Sequence, residues 1–133
     1  MIDKVSELQS RYDTSDDVWF FVKSNYRIIH FNKRAAKNSI ALHNKEIAAG
    51  DSILDYARDT SNKIDSDFIT CFGKAAAGQN IEVDLKICYK EREIWTRSSY
   101  TPVYKGDILL GISILVTDIT HLRVSTTTDL IDQ

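Results

Sequence analysis

The sequence predicts an α+β fold built on one antiparallel sheet, and three observations carry the prediction. Two dense apolar runs, Val18 to Val22 and Arg27 to Phe31, lie close together near the start. A helical repeat of apolar residues follows in the middle of the chain. From Ile81 onward the apolar period switches to two. Strands, then helices, then a run of strands is the order of segregated α+β folds rather than of alternating βαβ units.

Each element follows from its local pattern. Ile2, Val5, Leu8 and Tyr12 share one side of a helix. That lead-in helix, in residues 1–15, is too short to be stable alone, and polar Asp13 to Asp17 ends it. The two apolar runs flank Lys23-Ser-Asn-Tyr26 and form a β-hairpin. Asn32 suits a helix N-cap, its side-chain oxygen accepting from free amides, for a short helix from Lys33 to about Leu42. Gly50 to Tyr56 turns into another short helix. Ile64, Phe68, Cys71, Phe72, Ala75 and Ala76 then keep helical spacing. Asp65 and Asp67 in its first turn complement the helix dipole, and Gly78 stands where a left-handed cap is wanted. Ile81, Val83, Leu85, Ile87 and Tyr89 alternate with polar residues, the pattern of a strand covered on one face. A turn at Lys90 to Arg92 leads into a long strand, Glu93 to Tyr104. Another at Lys105 to Asp107 leads into Ile108 to Asp118, with Leu110, Ile112, Ile114 and Val116 on one face.

Composition narrows the function. A chain of 133 residues is one domain, long enough to bury a core without metal or disulfide staples. Lys plus Arg is 17 against 19 Asp plus Glu, so there is no basic excess for a nucleic-acid surface. Two cysteines, Cys71 and Cys88, make no disulfide framework and fit a reducing, cytoplasmic compartment. The longest apolar stretch, Ile108 to Val116, is about half a membrane span, and no signal peptide opens the chain. His30, His43 and His121 lack partners at metal-ligand spacing. No nucleophile elbow, catalytic Cys–His motif or phosphate loop appears. The expectation is a protein that is not an enzyme and holds no metal.

The stronger signals are architectural. Asp118-Ile119-Thr120 ends the last strand, Phe31-Asn32 closes the second, Gly50-Asp51-Ser52 opens a mid-chain helix, and Trp95 lies seven residues before Pro102. In this order and spacing the segments resemble a PAS domain, the sensory module of bacterial signalling proteins such as sensor histidine kinases. The resemblance covers residues 16–121, leaving residues 122–133 as a polar tail or the start of an output linker. With no effector after Asp-Ile-Thr, the chain reads as an excised piece or a stand-alone domain.

The resemblance implies a PAS-like five-stranded antiparallel sheet with short helices on one face, preceded by the N-terminal helix. It implies a small ligand or cofactor in a cavity between sheet and helices. It also implies a homodimer through the N-terminal helix, and an effector such as a histidine kinase in a parent chain that is itself free to be membrane-anchored. No nucleic acid, and no membrane contact by this segment, is expected. Asp118, Ile119 and Thr120 are the implied signal output. Asp118 would pair with Arg123 or a base of the Lys90–Arg92 turn, and Thr120 would cap the outgoing helix.

The cofactor is not specified, but some are disfavoured. The light-sensing flavin branch carries Gly-x-Asn-Cys-Arg-Phe-Leu-Gln, and the comparable stretch from Gly50 has no cysteine. Haem-binding members place a histidine on the long helix, where Asp65 to Ala77 has none. A thioester-held chromophore would fall to Cys71, which is most simply a small core residue.

Resemblance in strand register puts Thr96, Ser98 and Tyr100 inward with Ile114 and Val116, adding a few hydroxyls to an apolar lining that can orient a small ligand. Phe20 and Val22, with Ile28 and His30, would complete the pocket. The alternative register puts Ile29 and Phe31 inward and His30 in solvent or at a dimer contact, since a one-residue slip reverses every side chain. Trp95 and Arg97 would lie on the outer face. Two further readings stay open: a ligand-free PAS dimerisation and relay domain, and a small cone-shaped α+β isomerase.

Overall fold

The computed structural model describes residues 4–57, 65–89 and 92–122. Ile2, Ile64, the Lys90–Glu91 turn, Arg123 and the tail lie outside the described residues, as do the side chains of His43, Ile87, Cys88, Tyr89 and Arg92. The chain runs α1 (Lys4–Tyr12), β1 (Val18–Val22), β2 (Ile28–Phe31), α2 (Lys33–His43), a 3-10 turn (Ile53–Tyr56), α3 (Ser66–Ala76), β3 (Ile81–Tyr89), β4 (Arg92–Lys105) and β5 (Ile108–Asp118). The five strands form one sheet in the order β2-β1-β5-β4-β3, and every neighbouring pair is antiparallel. The α+β architecture expected from the sequence is therefore present.

Local chemistry sets the helix ends. Asn32 and Asp65 have extended backbones, and their side chains accept from Ala35 N and Asp67 N to start α2 and α3. Ser52 does the same for Leu54 N at the 3-10 turn. Gly78, at φ +102°, closes α3 in the left-handed region. The loop after α2 covers the open edge of β2: Ile28 N donates to Asp51 O at 2.8 Å and Gly50 N to Ile28 O at 2.7 Å. That pairing closes the edge to a foreign strand at Ile28, where β2 begins.

Two apolar clusters lie on opposite faces of the sheet. The inner one packs Phe68, Cys71, Phe72 and Ala75 of α3 over Val22, Ile28, Tyr100, Ile112 and Ile114. On the outer face, Val5, Leu8 and Tyr12 of α1 pack against Trp19, Phe21 and Val103. The apolar side of α1, expected to meet a second copy, is thus covered by the chain's own sheet. A dimer through α1 would need its other face or an exchange of helices.

Two bulges correct the expected alternation. Phe21 pairs with His30 and Val22 with Ile28, leaving Ile29 as an extra residue in β2. A bulge places consecutive residues on one face. Ile28 and Phe31 therefore join the inner cluster, and Ile29 the outer one. His30, a pocket candidate, is also turned outward, where its Nδ1 meets Gln9 Oε1 of α1 at 2.8 Å. Neither simple register was right. Similarly, Val103 pairs with Gly111 and Tyr104 with Leu109, so Leu110 is extra in β5 and packs outward instead of with Ile112.

Candidate functional site

The candidate site is the inner face where α3 crosses β4 and β5. Register fixes which side chains share it. Tyr100 stands between Ile81 and Ile114, Ser98 between Val83 and Val116, and Thr96 between Leu85 and Asp118. Across β5, Ile114 pairs with Phe20 and Ile112 with Val22. Thus Phe20, Val22, Ile28, Thr96, Ser98, Tyr100, Ile114 and Val116 occupy one face, and His30 does not. From above, Phe68 approaches Tyr100 at 6.0 Å and Phe72 at 5.6 Å between ring centroids, and Tyr26 stands 4.7 Å from Phe72. These separations suit tilted aromatic packing.

Three hydroxyls break this apolar surface. Tyr100 is 4% exposed, Ser98 6% and Thr96 8%. Among the described residues, none of the hydrogen bonds reaches these hydroxyls, although every fully enclosed side-chain nitrogen or oxygen there has a partner. The three oxygens therefore border open space rather than packed atoms. Each oxygen is open to water or to a ligand's polar group, and a ligand that covered one without bonding it would lose about 1–3 kcal/mol. Burial first, then the nearby Cys71, Asp65 and Asp67, pushes the Tyr100 phenol well above its ordinary pKa. It remains an O–H donor across the physiological range. Burial, then Asp67, likewise raises the Cys71 thiol, so the nucleophilic thiolate is disfavoured.

Below the 3-10 turn, Tyr56 donates to Asp51 Oδ2 at 3.0 Å, and Asp51 Oδ2 also accepts from Ala48 N. Burial, followed by that carboxylate, pushes the Tyr56 phenol up to about 12. Lys45 meets Asp55 at 3.4 Å and lies 5.3 Å from the Tyr56 ring centre. This lattice holds the loop that closes the β2 edge of the inner face.

The exit from β5 departs from the roles expected for it. Asp118 Oδ1 accepts from Thr120 N at 2.9 Å, so Asp118 turns the chain into its last helical residues. Thr120 Oγ1 instead accepts from Trp95 N at 3.0 Å, and Ile119 N donates to Trp95 O at 2.8 Å. The capping expected of Thr120 thus falls to Asp118. The bases expected to pair with Asp118 lie outside the described residues. Ile119, 2% exposed, anchors the clasp. Both backbone groups of Trp95 are held by the exit, and Trp95 is covalently next to Thr96 of the hydroxyl row. This link was not legible beforehand, because an Asp-Ile-Thr string does not reveal which strand its hydroxyl meets.

On the outer face Arg97 makes a two-pronged pair with Asp84, at 2.9 and 3.1 Å, and approaches Glu82 at 3.8 Å. Such half-exposed pairs add at most about 1 kcal/mol. Among the described residues there is no cluster of three metal-ligating side chains. No described helix is long and apolar enough to cross a membrane.

No family model and no curated protein matches the sequence. Solved structures do match. The phage VqmA–DPO complex superposes with a TM-score of 0.71 at 16% identity, over 96% of this chain and 58% of that one. The PAS domain of a Colwellia psychrerythraea protein matches at 0.61 and 18% identity, over 90% and 99% of the two chains. A sensory box sensor histidine kinase from Vibrio cholerae matches at 0.52 and 14% identity, over 84% and 86%. This chain therefore spans less than two thirds of the VqmA chain and nearly all of the isolated PAS domain. The strand order, the helix layer and these superpositions agree: the chain has the fold of the PAS domains.

Proposed function

We propose that this chain is a non-enzymatic PAS signal-sensing module that binds a small molecule between α3 and the inner face of the sheet. One observation carries the reading: three hydroxyls on alternate residues of β4, each more than nine-tenths buried, lack hydrogen-bond partners among the described residues. A ligand that satisfies them would be held beside Thr96, one residue from the Trp95 backbone clasped by Ile119 and Thr120. Movement of β4 at Thr96 is thereby coupled to the exit of β5. Asp118, Ile119 and Thr120 serve as the output, passing the change to an effector such as a histidine kinase in a longer chain. The similarity to VqmA, whose structure is a complex with DPO, and to a sensor histidine kinase supports this assignment. The module works as a homodimer in the cytoplasm, meeting its second copy through surface other than the apolar side of α1, which its own sheet covers.

Native mass spectrometry of the protein as purified, compared with the denatured sample, tests the reading. A mass excess that disappears on unfolding is the expected result, and its value gives the ligand mass. A bare chain mass in every charge state would overturn ligand sensing and favour a ligand-free dimerisation and relay domain.

A further inference from the structure

We infer that the molecule held against β4 is uncharged, and that it is recognised by the hydroxyls of Ser98 and Tyr100. This rests on the reading of the inner face as a ligand site. The buried polar side chains among the described residues are Asn32, Ser39, Thr96, Ser98 and Ser113. None carries a charge, and the inner cluster is otherwise hydrocarbon, aromatic rings and the Cys71 thiol. An ion brought into such a surface loses its hydration and meets no counter-charge, which costs several kcal/mol.

The charges that do lie nearby deepen the bias against anions. Asp65 and Asp67 of α3 are close enough to act on Tyr100. Asp118 is the register partner of Thr96. Arg97, the basic residue next to Thr96 and Ser98, faces the opposite side of the sheet and is engaged by Asp84 and Glu82. A cation is not served either. Asp67 and Asp118 are exposed and Asp65 is half-buried, so their charge is screened by water rather than buried beside the hydroxyls, and a cation would lose its hydration to reach them. Hydroxyls suit a neutral molecule because each donates and accepts. On a strand, Ser98 and Tyr100 stand roughly 7 Å apart, so a ligand bridging both has hydrogen-bonding groups at two ends of an apolar body.

The test uses the full chain and matched probe sets: benzamide with benzoate and benzylammonium, and further neutral amides and phenols, each paired with its isosteric carboxylate and amine. Binding is read from backbone amide shifts in NMR titrations. Neutral members are expected to bind and to shift the amides of residues 96–100, with charged isosteres weaker on the order of a hundredfold. Ser98→Ala and Tyr100→Phe should each weaken the neutral binders about threefold to tenfold, the worth of one hydrogen bond. Tighter binding by carboxylates or amines would overturn the inference while leaving a ligand site in place. Neutral binding that both variants leave unchanged would overturn the role of the hydroxyls. Failure of every probe, together with a bare native mass, would overturn the site and this inference with it.

Discussion

Asn32→Ala is expected to lower the unfolding free energy by about 4 kcal/mol, far more than a lost helix cap alone. The Asn32 side chain is 1% exposed and makes four hydrogen bonds. Its Oδ1 accepts from Ala35 N at 2.9 Å and from Trp19 N at 3.1 Å. Its Nδ2 donates to Tyr12 O at 2.7 Å and to Asp17 O at 2.8 Å. All four valences of the amide are used, and they tie α1, the turn after it, β1 and α2 to one residue. Alanine removes the cap, worth about 1 kcal/mol, and leaves the buried Trp19 N–H and the Asp17 carbonyl unserved, at about 1–2 kcal/mol each, while the Tyr12 carbonyl keeps Ser15 N. Typical domains have only about 5–15 kcal/mol in total. Urea unfolding checks the figure, with the melting temperature expected to fall by about 15 °C for a chain of this size. Asn32→Asp separates the two halves of the role. It keeps both acceptor bonds but sets a carboxylate against the Tyr12 and Asp17 carbonyls, so it should remain strongly destabilised. A loss below about 1 kcal/mol in the alanine variant would reduce Asn32 to an ordinary cap.

Gly111→Ala is expected to cost about 3 kcal/mol, from collision rather than from lost contacts. An added Cβ would stand 2.7 Å from the carbonyl oxygen of Val22 and 2.8 Å from Cζ of Phe21. Neither neighbour has room to give. Val22 is a fully buried residue of β1 paired to β5, and Phe21 packs in the outer cluster with Trp19. Relief would require separating β1 from β5, the central joint of the sheet. Gly73→Ala is the control: in α3 its Cβ meets nothing within 4 Å, and the helix should gain about 0.5–1 kcal/mol. Thermal melts of the two variants should therefore move in opposite directions. A neutral Gly111→Ala would mean that the β1–β5 contact is looser than these distances.

These two residues mark what was legible in the sequence and what was not. Alternation along Ile81 to Tyr89 and along Thr96 to Tyr100 reported the strands and their faces, because both stretches pair without a register shift. At Ile28 to Phe31 the same rule failed. One extra residue opposite Phe21 and Val22 turns both Ile29 and His30 outward, and nothing in that string announces a bulge. Leu110 was misplaced for the same reason. The capping role of Asn32 was readable from its place between a strand and a helix. Its bonds to Tyr12, Asp17 and Trp19 were not, since they depend on how three separate segments converge. The apolar stripe of α1 was visible as well, but its destination on the outer face, with Tyr12 stacked 5.6 Å from Trp19 and Trp19 Nε1 donating to Ser113 at 2.8 Å, needed the tertiary structure. A stripe specifies a partner surface without saying whose.

The most direct test of the ligand site is a crystal structure of the protein as isolated from cells, without refolding. The account predicts electron density for a non-protein molecule between α3 and β4, with a polar atom about 3 Å from the Ser98 or Tyr100 hydroxyl. An inner face with no such density, and with those hydroxyls bonded only to protein groups or water, would contradict it.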